Sequence, residues 1–91
     1  MHITFDPVKS ERNIVERGLS FDLVYKFDFE TAVFSVDVRH SYGEIRMRAL
    51  GLMTRRVHAL VFVETDTGIR IISLRKANKR EVKHYEQETQ S

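Results

Sequence analysis

Between residues 31 and 75, apolar side chains gather in four runs, in three of which they recur at every second position. In TAVFSVDVRH (31–40), Ala32, Phe34, Val36 and Val38 hold one parity. Thr31, Ser35, Asp37 and Arg39 hold the other, with Val33 as the exception. In EIRMRALG (44–51), Ile45, Met47 and Ala49 alternate with Glu44, Arg46 and Arg48. In RVHALVFVE (56–64), Val57, Ala59, Val61 and Val63 share one face, and His58, Leu60, Phe62 and Glu64 the other. IRIISLR (69–75) is a fourth run. A period of two predicts strands. HSYGE (40–44), with Gly43 supplying backbone freedom, and TDTG (65–68) read as turns. Connections this short predict an antiparallel meander.

The flanks read as helices. Asp6 suits an N-cap, Pro7 the first helical position, and Gly18 a left-handed C-terminal residue, so a helix is expected over Pro7–Arg17. Val8, Ile14 and Val15 form its thin apolar stripe; Lys9, Arg12, Asn13 and Glu16 form the opposite face. Ser20 is a second candidate N-cap, for a short helix turning Phe21, Val24 and Phe27 inward. From about Ala77 to Glu86 the spacing becomes helical again, with Val82 and Tyr85 three apart. The expected fold is α+β: two N-terminal helices, an antiparallel meander of three to four strands, and a C-terminal helix. A small sheet needs such helices on one face to bury enough surface.

At 91 residues the chain fits one domain, 1–91, of modest stability. It has no cysteine, which excludes a disulfide framework and a thiolate zinc site. No apolar run reaches the roughly 20 residues of a membrane helix, and MHITFDPVKS lacks a signal peptide's apolar core. The expectation is a soluble, cytoplasmic protein. The net charge of +2 is unevenly placed. Residues 1–38 carry 4 basic and 7 acidic side chains, residues 39–91 carry 11 and 6. That asymmetry points to a basic surface on the C-terminal part.

The alternation gathers Glu44, Arg46 and Arg48 with Asp37, Arg39, Arg56 and His58 on one polar sheet face. An ordinary solvated face with cross-strand ion pairs has the same pattern. Arg70 sits among isoleucines, where solvation is expected to be poor, so it requires a carboxylate partner or a ligand; Glu44 and Glu64 are the candidates. Arg70 and Arg75 differ in parity. They share a site only through a bulge, or if Arg75 lies past the strand end. His2, His40, His58 and His84 show no metal-ligand spacing. His40 and His58 are the better placed for chemistry.

FDPVKSERNIVERGLSF (5–21), HSYGEIR (40–46) and IRIISLRKANKREVKHY (69–85) together resemble the BrnT family, small toxins of bacterial type II toxin–antitoxin systems. Three positions depart from the family pattern: Glu16 and Arg17 before Gly18, where a Lys-His pair is usual, and Thr65 after Glu64, where an arginine is usual. The resemblance implies a RelE-like ribonuclease fold, RNA as substrate, and neutralisation by a BrnA-type antitoxin that carries the DNA-binding domain. It implies no cofactor. A homodimer and a toxin–antitoxin hetero-oligomer are both compatible with it.

The mechanism expected on that basis is metal-independent endoribonuclease chemistry using the RNA's own 2′-hydroxyl. Arginine suits phosphate because its fork matches phosphate oxygens and stays charged. Arg70 and Arg75 are expected to bind phosphate, with Arg46 in support and Glu44 as base or orienting carboxylate. Lys9, Arg48, Lys76, Lys79 and Arg80 are the expected RNA-backbone contacts. The competing reading is a non-catalytic RelE-like module that binds nucleic acid or protein.

Overall fold

The computed structural model describes residues 1–38 and 43–90. Its strands are β1 (His2–Thr4), β2 (Val33–Asp37), β3 (Arg46–Met53), β4 (Arg56–Glu64) and β5 (Gly68–Lys76). They form one five-stranded sheet in the order β1-β5-β4-β3-β2. Two α-helices, α1 (Pro7–Arg17) and α2 (Lys79–Thr89), and a 3-10 helix over Phe21–Lys26 complete an α+β chain.

The meander is present: β2 to β5 pair antiparallel in sequence order. Two features differ from expectation. A fifth strand, β1, precedes α1 and pairs parallel with β5, His2 opposite Gly68 and Thr4 opposite Arg70, so the sheet is mixed. Three residues are too few for a period-two run to be read. The second helix is 3-10 rather than α: Leu23 N–H donates to Ser20 O and Phe27 N–H to Val24 O, three residues back. Ser20 caps it, accepting from Asp22 N–H. The turn expected at 40–44, with Arg39 and His40, falls largely on residues 39–42, outside the described residues. The 65–68 turn is closed by Thr65 N–H to Gly68 O at 2.8 Å and Gly68 N–H to Thr65 Oγ1 at 3.0 Å.

Helix α1 has the bounds its caps dictate. Asp6 Oδ1 accepts from Val8 N–H at 2.9 Å, and Gly18, at φ 70°, donates to Ile14 O. Its buried face is not the apolar stripe. Val8, Ile14 and Val15 are exposed, and the buried residues are Ser10 and Asn13. Ser10 Oγ accepts from Phe21 N–H at 3.0 Å; Asn13 Nδ2 donates to Leu19 O and Leu74 O at 2.8 and 2.9 Å. Hydrogen bonds to backbone groups dock α1 where β1 no longer covers β5. Such groups are costly to leave unsatisfied, which outweighs the apolar stripe.

The sheet has two differently covered faces. On one, Ala49, Leu60, Phe62, Ile71 and Leu74 pack under Phe21, Val24 and Phe27. Gly51 is required there: a Cβ would lie 2.6 Å from the Phe27 ring. On the other, α2 lays Tyr85 and Val82 over Val33, Leu50, Val57 and Ala77. Strand β2 inverts its expected parity. Phe34, Val36 and Val38 are exposed, whereas Asp37 is buried and Val33 partly so. As an edge strand, β2 lies beyond the 3-10 helix; Phe34 meets Phe62 edge to face at 6.4 Å but stays exposed, while α2 covers the opposite face.

Candidate functional site

The pairing register places the arginines. Ala59 pairs with Arg75, Leu60 with Leu74 and Val61 with Ser73, but Phe62 pairs with Ile71 and Val63 with Arg70. Ile72 is therefore an extra residue, a β-bulge between Arg70 and Arg75. Ala59 and Val63 share a parity, so their partners Arg75 and Arg70 stand on the same face. Read across β2 to β5, that face has three rows. Val33, Leu50, Ala59 and Arg75 form the first; Ser35, Arg48, Val61 and Ser73 the second; in the third, Asp37 pairs with Arg46 and Val63 with Arg70 at the corresponding end of the sheet.

Two carboxylates organise the four arginines. Glu44, just before β3, accepts from Arg70 Nη2 with both oxygens, at 3.0 and 2.9 Å. Arg46 Nε lies 3.6 Å from the same carboxylate. Of the two candidate partners for Arg70, Glu44 is the one used. Poor solvation of Arg70 is not observed: its side chain is 44% exposed, because α2 covers only the Arg75 end of the face.

Glu81 is the second carboxylate. It accepts from Arg75 Nη1 and Nη2 at 2.8 and 2.9 Å and from Arg48 Nη2 at 3.2 Å. Its Oε1 also accepts from Asn78 N–H at 2.9 Å, and Asn78 Oδ1 accepts from Glu81 N–H at 2.8 Å, a capping box that starts α2. The Arg75 hydrogen bonds above all hold the Glu81 carboxyl down at a pKa of about 2 against burial, helped by the Asn78 N–H and Arg48. Glu81 was not among the expected site residues. Its trace in the sequence is Asn78-Lys-Arg-Glu81, the spacing of a capping box.

The remaining expected residues separate. Arg80 lines a cleft of about 340 Å³ with Arg48, Glu81 and His84; Lys79 is exposed in the same turn of α2. Lys76 is exposed at the end of β5 on the opposite face, since it pairs with His58 rather than following Arg75. Lys9 lines another groove, on α1, with Arg12, Glu16 and Ile72, apart from the sheet arginines. Arg56 and His58 also lie on the Leu60–Phe62 face, not the arginine face, because their parity is even on β4. His58 is buried, with Nδ1 2.8 Å from Arg56 O, and burial pushes its pKa down. Among the described residues, no cluster of three or more histidine or acidic side chains has the arrangement to hold a metal ion. No helix there is long and apolar enough to cross a membrane.

A family model described as the ribonuclease toxin BrnT of type II toxin–antitoxin systems matches residues 5–81. The chain belongs to the BrnT family. The match includes all four arginines of the face and both carboxylates that hold them. The BrnT family is one of ribonuclease toxins, which makes this chain the toxin of such a system. No curated protein matches the chain.

Proposed function

We propose that the three-row arginine face is where this toxin holds RNA for metal-independent cleavage. The observation that carries the reading is the bulge at Ile72, which brings Arg70 onto the face of Arg46, Arg48 and Arg75. RNA supplies its own nucleophile: the 2′-hydroxyl oxygen attacks the adjacent phosphorus, the bond to the 5′-oxygen breaks, and the proton lost by one oxygen is matched by the proton gained by the other. The protein's task is to hold the phosphate and stabilise the charge that grows on its oxygens.

Arg70 is the first phosphate contact in this reading. Glu44 occupies only its Nη2, which leaves Nη1 and Nε to reach a phosphate from a half-exposed position. Arg46 supports it through the shared carboxylate, and Glu44 acts as the orienting group. Arg75 spends both terminal nitrogens on Glu81. It therefore serves as a positioning residue that fixes Glu81 and, through it, Arg48. A BrnA-type antitoxin, the product of a neighbouring gene, neutralises the toxin by covering this face.

The test is cleavage of RNA in EDTA by the chain freed of its antitoxin, beside Arg70→Ala. Cleavage by the wild-type chain and its loss in a folded Arg70→Ala variant are expected. A wild-type chain that only retards RNA, in a salt-dependent manner, would overturn the catalytic reading. Capture of the neighbouring gene's product is expected to weaken after Arg46→Glu; unchanged capture would place the antitoxin elsewhere.

A further inference from the structure

We propose that the cleft between α2 and strands β2 and β3 is a subsite for one nucleotide of the RNA. It rests on the ribonuclease reading of the adjoining arginine face. The cleft has the two kinds of wall that a nucleotide needs. Val33 and Leu50 form an apolar side, Arg48, Arg80 and His84 a cationic and imidazole side, and Ser35 also lines it; the carboxylate there, Glu81, is already neutralised by Arg75 and Arg48. Its volume, about 340 Å³, is that of a small-ligand pocket. The base lies against Val33 and Leu50, and its phosphate meets Arg48 and Arg80.

Three observations favour an anionic occupant. Arg48 gives Glu81 only its Nη2, and its other nitrogens have no partner among the described residues. Arg80 and His84 likewise have none there. Arg80 also sits in the first turn of α2, beside the positive end of the helix dipole, where a cation is disfavoured. Helix stability does not explain an arginine at that position; a phosphate in the cleft does. The α2 N-terminus is thus support for the site, not its basis.

The cleft also continues the arginine face. Arg48 and Arg46 are two residues apart on one face of β3, about 6.6–6.8 Å along the strand, and Arg46 pairs across to Asp37 in the row of Arg70. A single strand of RNA leaving the cleft at Arg48 reaches Arg46 and Arg70 with its next phosphate. The subsite therefore places the nucleotide adjoining the cleaved bond and makes Val33 and Leu50 the residues that sense its base.

The experiment titrates the full chain with adenosine 3′-monophosphate and uridine 3′-monophosphate, followed by NMR of the Val33 and Leu50 methyl groups and the His84 imidazole. Inorganic phosphate is the comparator. The nucleotides are expected to shift all three signals and to bind more tightly than phosphate. Arg80→Gln, which keeps a good helix former, is expected to weaken binding roughly tenfold, the loss of one charge-assisted contact. Arg12→Ala, in the groove on α1, is expected to leave it unchanged.

Nucleotides that bind no more tightly than phosphate, or that leave the methyl groups unmoved, overturn the subsite. So does binding indifferent to Arg80→Gln, or no binding at all. RNA cleavage by the same preparation separates the two readings. If RNA is cut while the nucleotides miss the cleft, the subsite fails and the ribonuclease site stands. If they fill the cleft while RNA stays intact, the subsite stands and cleavage at the arginine face fails.

Discussion

Arg70 and Arg75 stand on one face of β5 although five positions separate them, because Ile72 is bulged out of the ladder with β4. Each then meets a carboxylate from a different part of the chain: Glu44 from just before β3, Glu81 from the first turn of α2. The two pairs differ in kind. Arg70–Glu44 is half-exposed and spends one guanidinium nitrogen; Arg75–Glu81 is two-pronged and better shielded.

Arg70→Ala is expected to lower RNA cleavage with little loss of stability. An ion pair this exposed contributes about 0–1 kcal/mol, so the melting temperature should fall by no more than roughly 4–8 °C. Cleavage assays and thermal melts on one preparation check it. Full activity in the folded variant would remove Arg70 from the site.

Glu81 should make stability depend on pH in the acid range. Its carboxyl titrates at about 2 in the folded chain against a reference value of 4.5. The folded state thus binds fewer protons than the unfolded chain between those values. The contribution is present above pH 4.5 and is lost as pH falls toward 2. Glu81→Gln keeps a residue fit for the capping box but removes the charge. Denaturant titrations at several pH values should show a flatter acid limb for the variant; parallel curves would contradict the assignment.

His58 acts higher on the pH scale. Burial lowers its pKa below the ordinary 6.5. As pH drops through 6.5 the unfolded chain takes up a proton that the folded chain resists, so stability declines. His58→Gln should reduce that decline between about pH 7 and 5. An NMR titration showing His58 protonating above 6.5 would refute it.

The docking of α1 predicts an inversion of the usual mutational hierarchy. Asn13→Ala leaves Leu19 O and Leu74 O without their donor and is expected to cost about 1–3 kcal/mol. Val15→Ser, on the exposed face, should stay within roughly 0.5 kcal/mol. Chemical denaturation of both variants decides the matter, and a larger loss for Val15→Ser would restore the apolar stripe as the docking face.

What the sequence determined by itself was local. Asp6, Pro7 and Gly18 bound α1 because capping groups act within one turn. Period-two runs located β2 to β5 because successive side chains of a strand point to opposite sides. Glu44 was within reach of inference because the meander holds β3 and β5 in one sheet with only β4 between them. Tertiary structure decided the rest. Which face of β2 is buried depended on what lay over it, and α2 covered the side of Val33 rather than that of Phe34. The buried face of α1 depended on the carbonyls of Leu19 and Leu74, the second of them 61 residues away. Lys76 parted from Arg75 by ordinary alternation, whereas Arg70 joined Arg75 through a single unpaired residue whose place only the partner strand reveals. Glu81 carried a visible local role in starting α2, but its hold on Arg48 and Arg75 came from packing that helix on the sheet. Alternation and capping are properties of neighbouring residues, whereas burial and ion pairing are set by whatever distant segment arrives.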